Sequence, residues 1–183
     1  MLVRAKLPTN SHSEEETSTE PLNKCIRKKC RYCPKIDTSG KITSNFTGRE
    51  YVTKHNISCK SNNLIYCITC TTCNKQYVGQ TKLRLMDRFQ GHFWCIQSNA
   101  PNNDVARHFN LPNHSGIEDV KIHILDFIYL APHSDEGQYV RNHIEMNWVH
   151  RLDTQQPLGM NTIDTPPRYD PKYPQSWVSR RYP

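Results

Sequence analysis

The sequence predicts an α+β fold, a small three-stranded antiparallel sheet flanked by helices, within a chain of 183 residues. Three observations predict it. Residues 63–81, "NLIYCITCTTCNKQYVGQT", read as two short apolar runs folded back on each other around a Cys-Thr-Thr-Cys turn. Residues 120–130, "VKIHILDFIYL", alternate Val120, Ile122 and Ile124 with Lys121 and His123, the two-residue period of a strand. Two further stretches space apolar residues three and four apart, as an amphipathic helix does.

Taken in order, Leu64–Ile68 is the first strand and Gln76–Gly79 its hairpin partner, with the thiol knuckle at the turn. A helix is expected from Leu83 to about Gln97, through Leu85, Met86, Phe89, Phe93 and Ile96. The alternating strand at 120–130 follows. Ser134 then caps a helix with Asp135 and Glu136 in its first turn, where carboxylates favour the helix dipole. That helix runs to about Leu152, with Val140, Ile144, Trp148 and Leu152 on one stripe.

Around this domain (61–161) the composition changes. Residues 1–22 are polar and acidic without periodicity and read as a disordered linker. Residues 23–60 form a basic, cysteine-rich segment too poor in apolar residues to build its own core. Residues 162–183 hold five prolines with scattered aromatics and arginines and read as an extended basic tail.

Hydrophobic residues make up 36% of the chain, so part of it is expected to stay unpacked. The formal charge of +7 is uneven. Residues 1–22 set Arg4 and Lys6 against Glu14, Glu15, Glu16 and Glu20, a net of −2 that leaves +9 on the remainder. A polyanion is the partner this favours. No run approaches the roughly 18 apolar residues of a membrane helix, and the N-terminus lacks the build of a signal peptide. The eight cysteines are therefore expected in a reducing, intracellular setting, as thiols or metal ligands.

Their spacing favours metal. Zinc takes four nitrogen or sulfur ligands in a tetrahedron, and Cys-x2-Cys supplies two from one turn. Cys70 and Cys73 form such a knuckle, and His108 and His114, separated by "FNLPN", are the close histidine pair that could complete it. Cys25, Cys30 and Cys33, with Cys59 arriving just before the first strand, offer a second zinc site, which would stabilise a segment without a core. A rival pairing joins Cys30 and Cys33 to Cys70 and Cys73 in one four-thiolate site. Cys67 and Cys95 are left over and read as packed thiols.

A second constellation carries chemistry. Tyr77-Val78-Gly79 closes the hairpin, and Arg88 and His92 follow one turn apart on the next helix, able to lean over the sheet near Tyr66 and Tyr77. Glu145 falls within the apolar arc of the last helix, where a carboxylate is costly unless paired or bound to metal. Arg141, one turn earlier, is the alternative partner. Asn161 follows Leu158-Gly159-Met160.

In order and approximate spacing, Leu64-Ile65-Tyr66, Tyr77-Val78-Gly79, Arg88, His92, Glu145 and Asn161 resemble the GIY-YIG endonucleases. The knuckle between the tyrosine motifs, "YVGQT", "HFNLPNH" and "EMNWVHRLDTQQPLGMN" look like the endonuclease domain of Penelope-like retroelements, which lies C-terminal to a reverse transcriptase. The resemblance covers about residues 1–161. It implies that Glu145 holds one magnesium or manganese ion at the scissile phosphate and that Arg88 neutralises charge in the transition state. Tyr66 would help activate the attacking water, with Tyr77 and His92 orienting it or relaying the proton and Asn161 supporting the site. The zinc ions would be structural. Gly79, Gln80, Thr81, Lys82 and Arg84 are expected along the nucleic acid. The activity implied is nicking of target DNA to prime reverse transcription, in the nucleus, with element RNA and the reverse transcriptase as further partners. Two other functions fit the same residues: a zinc-stabilised nucleic-acid-binding module that has lost catalysis, and a cellular repair or resolving nuclease on the same fold.

Overall fold

A computed structural model describes residues 30–53, 57–162 and 170–173. The acidic linker, Cys25 and most of the tail lie outside the described residues. The chain is α+β: β1 (Lys41–Thr43), β2 (Glu50–Val52), β3 (Leu64–Cys70), β4 (Gln76–Thr81), α1 (Leu85–Gln97), α2 (Asp104–Phe109), β5 (Val120–Phe127) and α3 (Asp135–Leu152). β3 is the middle of an antiparallel sheet ordered β4-β3-β5, and β1 and β2 form a separate hairpin. No helix among the described residues is long and apolar enough to cross a membrane.

All seven residues of β3 are buried, because helices cover both faces of the sheet. Leu64, Tyr66, Ile68 and Cys70 point to one side, into a cluster with Leu85, Phe89, Phe93 and Ile96 of α1 and Val105 and Phe109 of α2. Ile65 and Cys67 point to the other, against Val140, Ile144, Trp148 and Leu152 of α3. The two-residue period of the strand thus sorts Tyr66 and Cys67 onto opposite layers.

Several boundaries differ from the expectation, each for a local reason. β3 continues through Cys70, whose N–H bonds the Lys75 carbonyl across the hairpin at 2.9 Å. α1 begins at Leu85, two residues late: the Thr81 hydroxyl accepts from the Leu83 N–H at 3.0 Å in a turn, and Arg84 is still extended at ψ 143°. β5 ends at Phe127, after which the Ile128 N–H turns to the Asn63 carbonyl at 2.9 Å. α2, capped by Asn103 through a 2.9 Å bond from the Ala106 N–H, inserts before β5.

The cysteine-rich segment borrows the main core. Tyr32, Ile36, Ile57 and Cys59 join the α1 layer, and Ile42 of β1 joins the α3 layer. Ile36 bridges to Ile122, so this segment also covers the free edge of β5. On the opposite edge, the Asn161 side chain accepts from the Val78 N–H and donates to the Val78 carbonyl, both at 2.8 Å. One amide there takes the place of a pairing strand at Val78.

Candidate active site and metal centres

Tyr66 is fully buried, and its hydroxyl lies 2.8 Å from Nε2 of His92 and 2.8 Å from Nε of Arg88. Arg88 can only donate, so the phenolic oxygen accepts from it and directs its own proton at His92. That assigns the remaining imidazole proton to Nδ1. Burial, helped by the Arg88 charge, lowers the His92 pKa to about 3, so the ring is a neutral acceptor. Burial also pushes Tyr66 well above the ordinary phenol range, with Arg88 working against the shift. The Tyr66 ring is fixed edge-on to Phe89, with centroids 5.1 Å apart, and Tyr77 stands edge-on to His92 at 6.0 Å.

Gly79 lets the two tyrosines meet. A Cβ built there would stand 2.7 Å from the Tyr66 oxygen and 2.8 Å from Cε1 of Tyr77. Arg88 is half-buried and forms no ion pair with a carboxylate among the described residues. Burial opposes its charge, but Tyr66, Tyr77 and Glu145 outweigh burial and raise its pKa.

Glu145 approaches from the other layer. It is half-buried on α3, and its Oε2 accepts from Nε2 of Gln80 at 2.9 Å. Burial raises its pKa, against the pull of Gln80 and Arg88. Because β4 is an edge strand, Glu145 and Arg88 reach round the same edge from opposite faces, and both act on the Tyr77 hydroxyl. Burial raises the Tyr77 pKa most, Glu145 adds to the rise, and Arg88 opposes it.

The pairing of Glu145 with Arg141 is not what forms. Arg141 is 1% exposed. It donates to the amide oxygens of Asn63, Gln80 and Gln138. The helix periodicity gave no sign of this buried cation. Nor did it show Asp104, whose carboxylate holds the Thr162 N–H at 3.2 Å and so anchors the chain after Asn161.

Of the five residues expected along nucleic acid, three turn inward. Gly79 lies under the tyrosines, Thr81 is buried and bonds the Leu83 backbone, and both ends of the Gln80 amide are engaged within the protein. Lys82 and Arg84 are exposed, the latter paired with Asp87 at 2.7 Å.

The thiols and imidazoles gather in two clusters. The ligand atoms of Cys70, Cys73, His108 and His114 all lie within 4.8 Å of one another, as do those of Cys30, Cys33 and Cys59. Cys30 and Cys33 thus meet Cys59 and not the knuckle, which disfavours the mixed four-thiolate site. Zn–S and Zn–N bonds of about 2.3 and 2.0 Å place tetrahedral ligands roughly 3.5–3.8 Å apart. The Cys73 Sγ–His108 Nε2 distance is 3.4 Å, and Cys30 Sγ–Cys59 Sγ is 3.8 Å.

His114 supplies a further test of fit. Its Nδ1 donates to the Pro112 carbonyl at 3.2 Å, which turns the buried Nε2 lone pair inward toward the Cys73 thiol, the contact that raises the His114 pKa. A metal-binding imidazole is held this way. Burial, with His114 and Lys75 adding to it, lowers His108 to about 4, keeping that ring neutral as a ligand must be. Both clusters could hold zinc. Cys25, the expected fourth ligand of the three-thiol cluster, lies outside the described residues. Cys67 is buried and Cys95 partly so, both packed against the core.

No family model, curated protein or solved structure matches this chain.

Proposed function

We propose that the chain is a metal-dependent DNA endonuclease of the GIY-YIG type, which nicks target DNA by phosphodiester hydrolysis to prime reverse transcription of a Penelope-like retroelement. The observation that carries this reading is the Tyr66 hydroxyl held between Arg88 and His92, with Glu145 brought to the same sheet edge. This gives a proton path, a cation free of carboxylate partners among the described residues, and a carboxylate, Glu145, whose protein donors are the amide groups of Gln80 and not a charged side chain. A lone carboxylate fits magnesium or manganese, which take one or two carboxylates and draw their other ligands from water and phosphate.

The residues divide the work. Arg88 seats a non-bridging phosphate oxygen and offsets the charge that grows in the transition state. Its own charge is then neutralised, which relieves one of the two effects holding His92 neutral. The attacking water gives its proton to the Tyr66 oxygen as the phenolic proton moves to Nε2 of His92. Tyr77 and Gly79 hold the Tyr66 ring at the angle this transfer needs. Asn161 keeps β4 from shifting beneath them. Glu145 would hold the divalent ion, which supplies Lewis-acid polarisation of the phosphate when bound. DNA is the substrate, and element RNA, the linked reverse transcriptase and the nucleus are the setting this function implies.

The test is nicking of supercoiled plasmid by the zinc-loaded chain, with and without magnesium. Nicking should require the divalent ion and fall by orders of magnitude in Glu145→Gln and in Arg88→Ala, with zinc content unchanged. Retained cleavage in Glu145→Gln would sink the one-metal reading. DNA binding without cleavage at any magnesium or manganese concentration would instead leave a zinc-stabilised binding module.

A further inference from the structure

We propose that Gln80 is a positioning residue that aims Glu145 at the catalytic ion, and that the buried Arg141 sets the direction of the Gln80 amide. This rests on the nuclease reading above.

The argument starts from polarity. A guanidinium carries five N–H donors, accepts nothing and stays charged at any working pH. Arg141 is the largest fully buried side chain among the described residues, and no carboxylate pairs with it. Its Nε donates to Oε1 of Gln80 at 3.1 Å and its Nη2 to Oε1 of Gln138 at 3.0 Å; Nη1 donates to Oδ1 of Asn63. Asn63 cannot turn over, since its amide nitrogen already donates to the carbonyls of Ile128 and Leu130.

An amide has one accepting and one donating end. With Oε1 of Gln80 committed to Arg141, its Nε2 must face the other way. There it donates to Oε2 of Glu145 at 2.9 Å and to Oδ1 of Asn142. Gln138 reinforces the orientation by donating to Oδ1 of Asn142 at 2.7 Å and to Oε1 of Gln80 at 3.3 Å. The path Arg141–Gln80–Glu145 runs in one direction, from a group that can only donate to an accepting carboxylate.

The arrangement also explains why a buried cation sits one turn from a carboxylate without pairing to it. A direct Arg141–Glu145 ion pair would occupy the carboxylate and point it into the protein. Interposing Gln80 satisfies both groups with neutral amide donors and leaves the negative charge of Glu145 uncancelled by Arg141, available to an ion.

The test uses the zinc-loaded full chain and manganese as the probe, with binding followed by electron paramagnetic resonance and magnesium dependence of nicking measured beside it. Removing an outer hydrogen bond to a metal ligand typically costs about 10- to 100-fold in metal affinity. Gln80→Leu and Arg141→Met should each weaken manganese binding by that order, and raise the magnesium needed for half-maximal nicking in step. The double variant should be no worse than Gln80→Leu alone, because both changes break one chain of orientation. Arg141→Lys, which still only donates, should recover much of the loss, and it keeps the test open should Arg141→Met fail to fold. Additive losses, or no rescue by lysine in a folded protein, would reduce the residues to a packing role and overturn the proposal. Wild-type manganese affinity in Gln80→Leu, with binding lost in Glu145→Gln, would overturn it while leaving the nuclease reading intact. Equal manganese binding by wild type and Glu145→Gln would overturn both.

Discussion

The backbone N–H of Met86 donates to the carbonyl oxygen of Cys59 at 2.8 Å, which joins the backbone of one candidate zinc ligand to the first turn of the helix that carries Arg88 and His92. The neighbouring N–H of Leu85 bonds the Ser61 carbonyl at 2.8 Å. α1 has no side-chain N-cap, so these two carbonyls satisfy donors that every helix start leaves open.

Metal at Cys30, Cys33 and Cys59 should therefore stiffen α1. In Cys59→Ser, one zinc ion should be lost and the Leu85 and Met86 amides should exchange hydrogen faster, while the β3–β4 pairing stays protected. Nicking should fall because Arg88 and His92 are no longer held against Tyr66. Unchanged exchange at those two amides, with zinc lost, would separate the cluster from the helix.

The knuckle should behave differently, because its four ligands come from a β-turn and from the segment around α2. Cys73→Ser should lose the other zinc ion and lower stability by several kcal/mol, since binding energy at a structural site is folding energy. Zinc measured by elemental analysis should drop from two ions per chain to one. A variant that keeps both ions would remove Cys73 from the site.

Much of this was legible in the sequence, and the failures have physical causes. β5 and α1 were readable because their apolar residues recur at the right period, β3 because it is a short apolar run, and α3 from its capping serine and the i,i+4 row of Val140, Ile144, Trp148 and Leu152. The knuckle and its two histidines were readable because ligand chemistry restricts spacing. The β1–β2 hairpin was not, since three-residue strands have no period and only Ile42 and Tyr51 pack it against the α3 layer. Arg141 was hidden because hydrophobic patterning counts a cation as a surface residue. A charge buried against amide oxygens leaves no signature in spacing. The expectation that Gln80 lies along the nucleic acid overlooks the alternation along β4, which puts it on the same face as Val78, toward α3. The need for a partner at Glu145 was visible; that the partner is an amide was not.

Gly79 offers a stringent test of the tyrosine geometry. In Gly79→Ala the new methyl group would meet the Tyr66 oxygen at 2.7 Å and Cε1 of Tyr77 at 2.8 Å, so one ring must move. Overpacking of this kind costs about 1–3 kcal/mol. Nicking should be lost while zinc content and DNA affinity are retained. Full activity in this variant would mean that the tyrosine pair does not hold the proton path.

Acid should loosen the junction between the cysteine-rich segment and β5. His123 is buried with Nδ1 lacking a hydrogen bond, and burial lowers its pKa from 6.5 to about 4, Lys121 adding to the fall and Asp37 opposing it. The unfolded chain thus binds the proton first, and stability falls as pH drops from 6.5 toward 4. Asp37 continues the trend lower down. Burial raises its pKa, but Lys121, Ser39 and His123 outweigh that and hold it at about 2, so its contribution is lost as pH falls from 3.8 toward 2. Urea denaturation between pH 7 and pH 4 should show a shallower slope for His123→Gln than for wild type. Equal slopes would mean that His123 titrates alike in the folded and unfolded chains.

The proton path itself turns on one oxygen. Tyr66→Phe keeps the ring against Phe89 and removes only the hydroxyl shared by Arg88 and His92. The half-buried guanidinium and the buried imidazole each lose a partner, which should cost about 1–3 kcal/mol in stability. Cleavage should fall much further, by a factor of about 100 or more, because water then has no basic oxygen to receive its proton. Manganese binding should stay at the wild-type level, since Glu145 and Gln80 are untouched. His92→Gln should reproduce the rate loss with a smaller change in stability, because its amide can still accept from the phenol but cannot take the proton onward. Single-turnover nicking and melting temperature for the two variants distinguish the cases. Near-wild-type cleavage by Tyr66→Phe would show that the three-way contact is structural, and the water would have to lose its proton elsewhere.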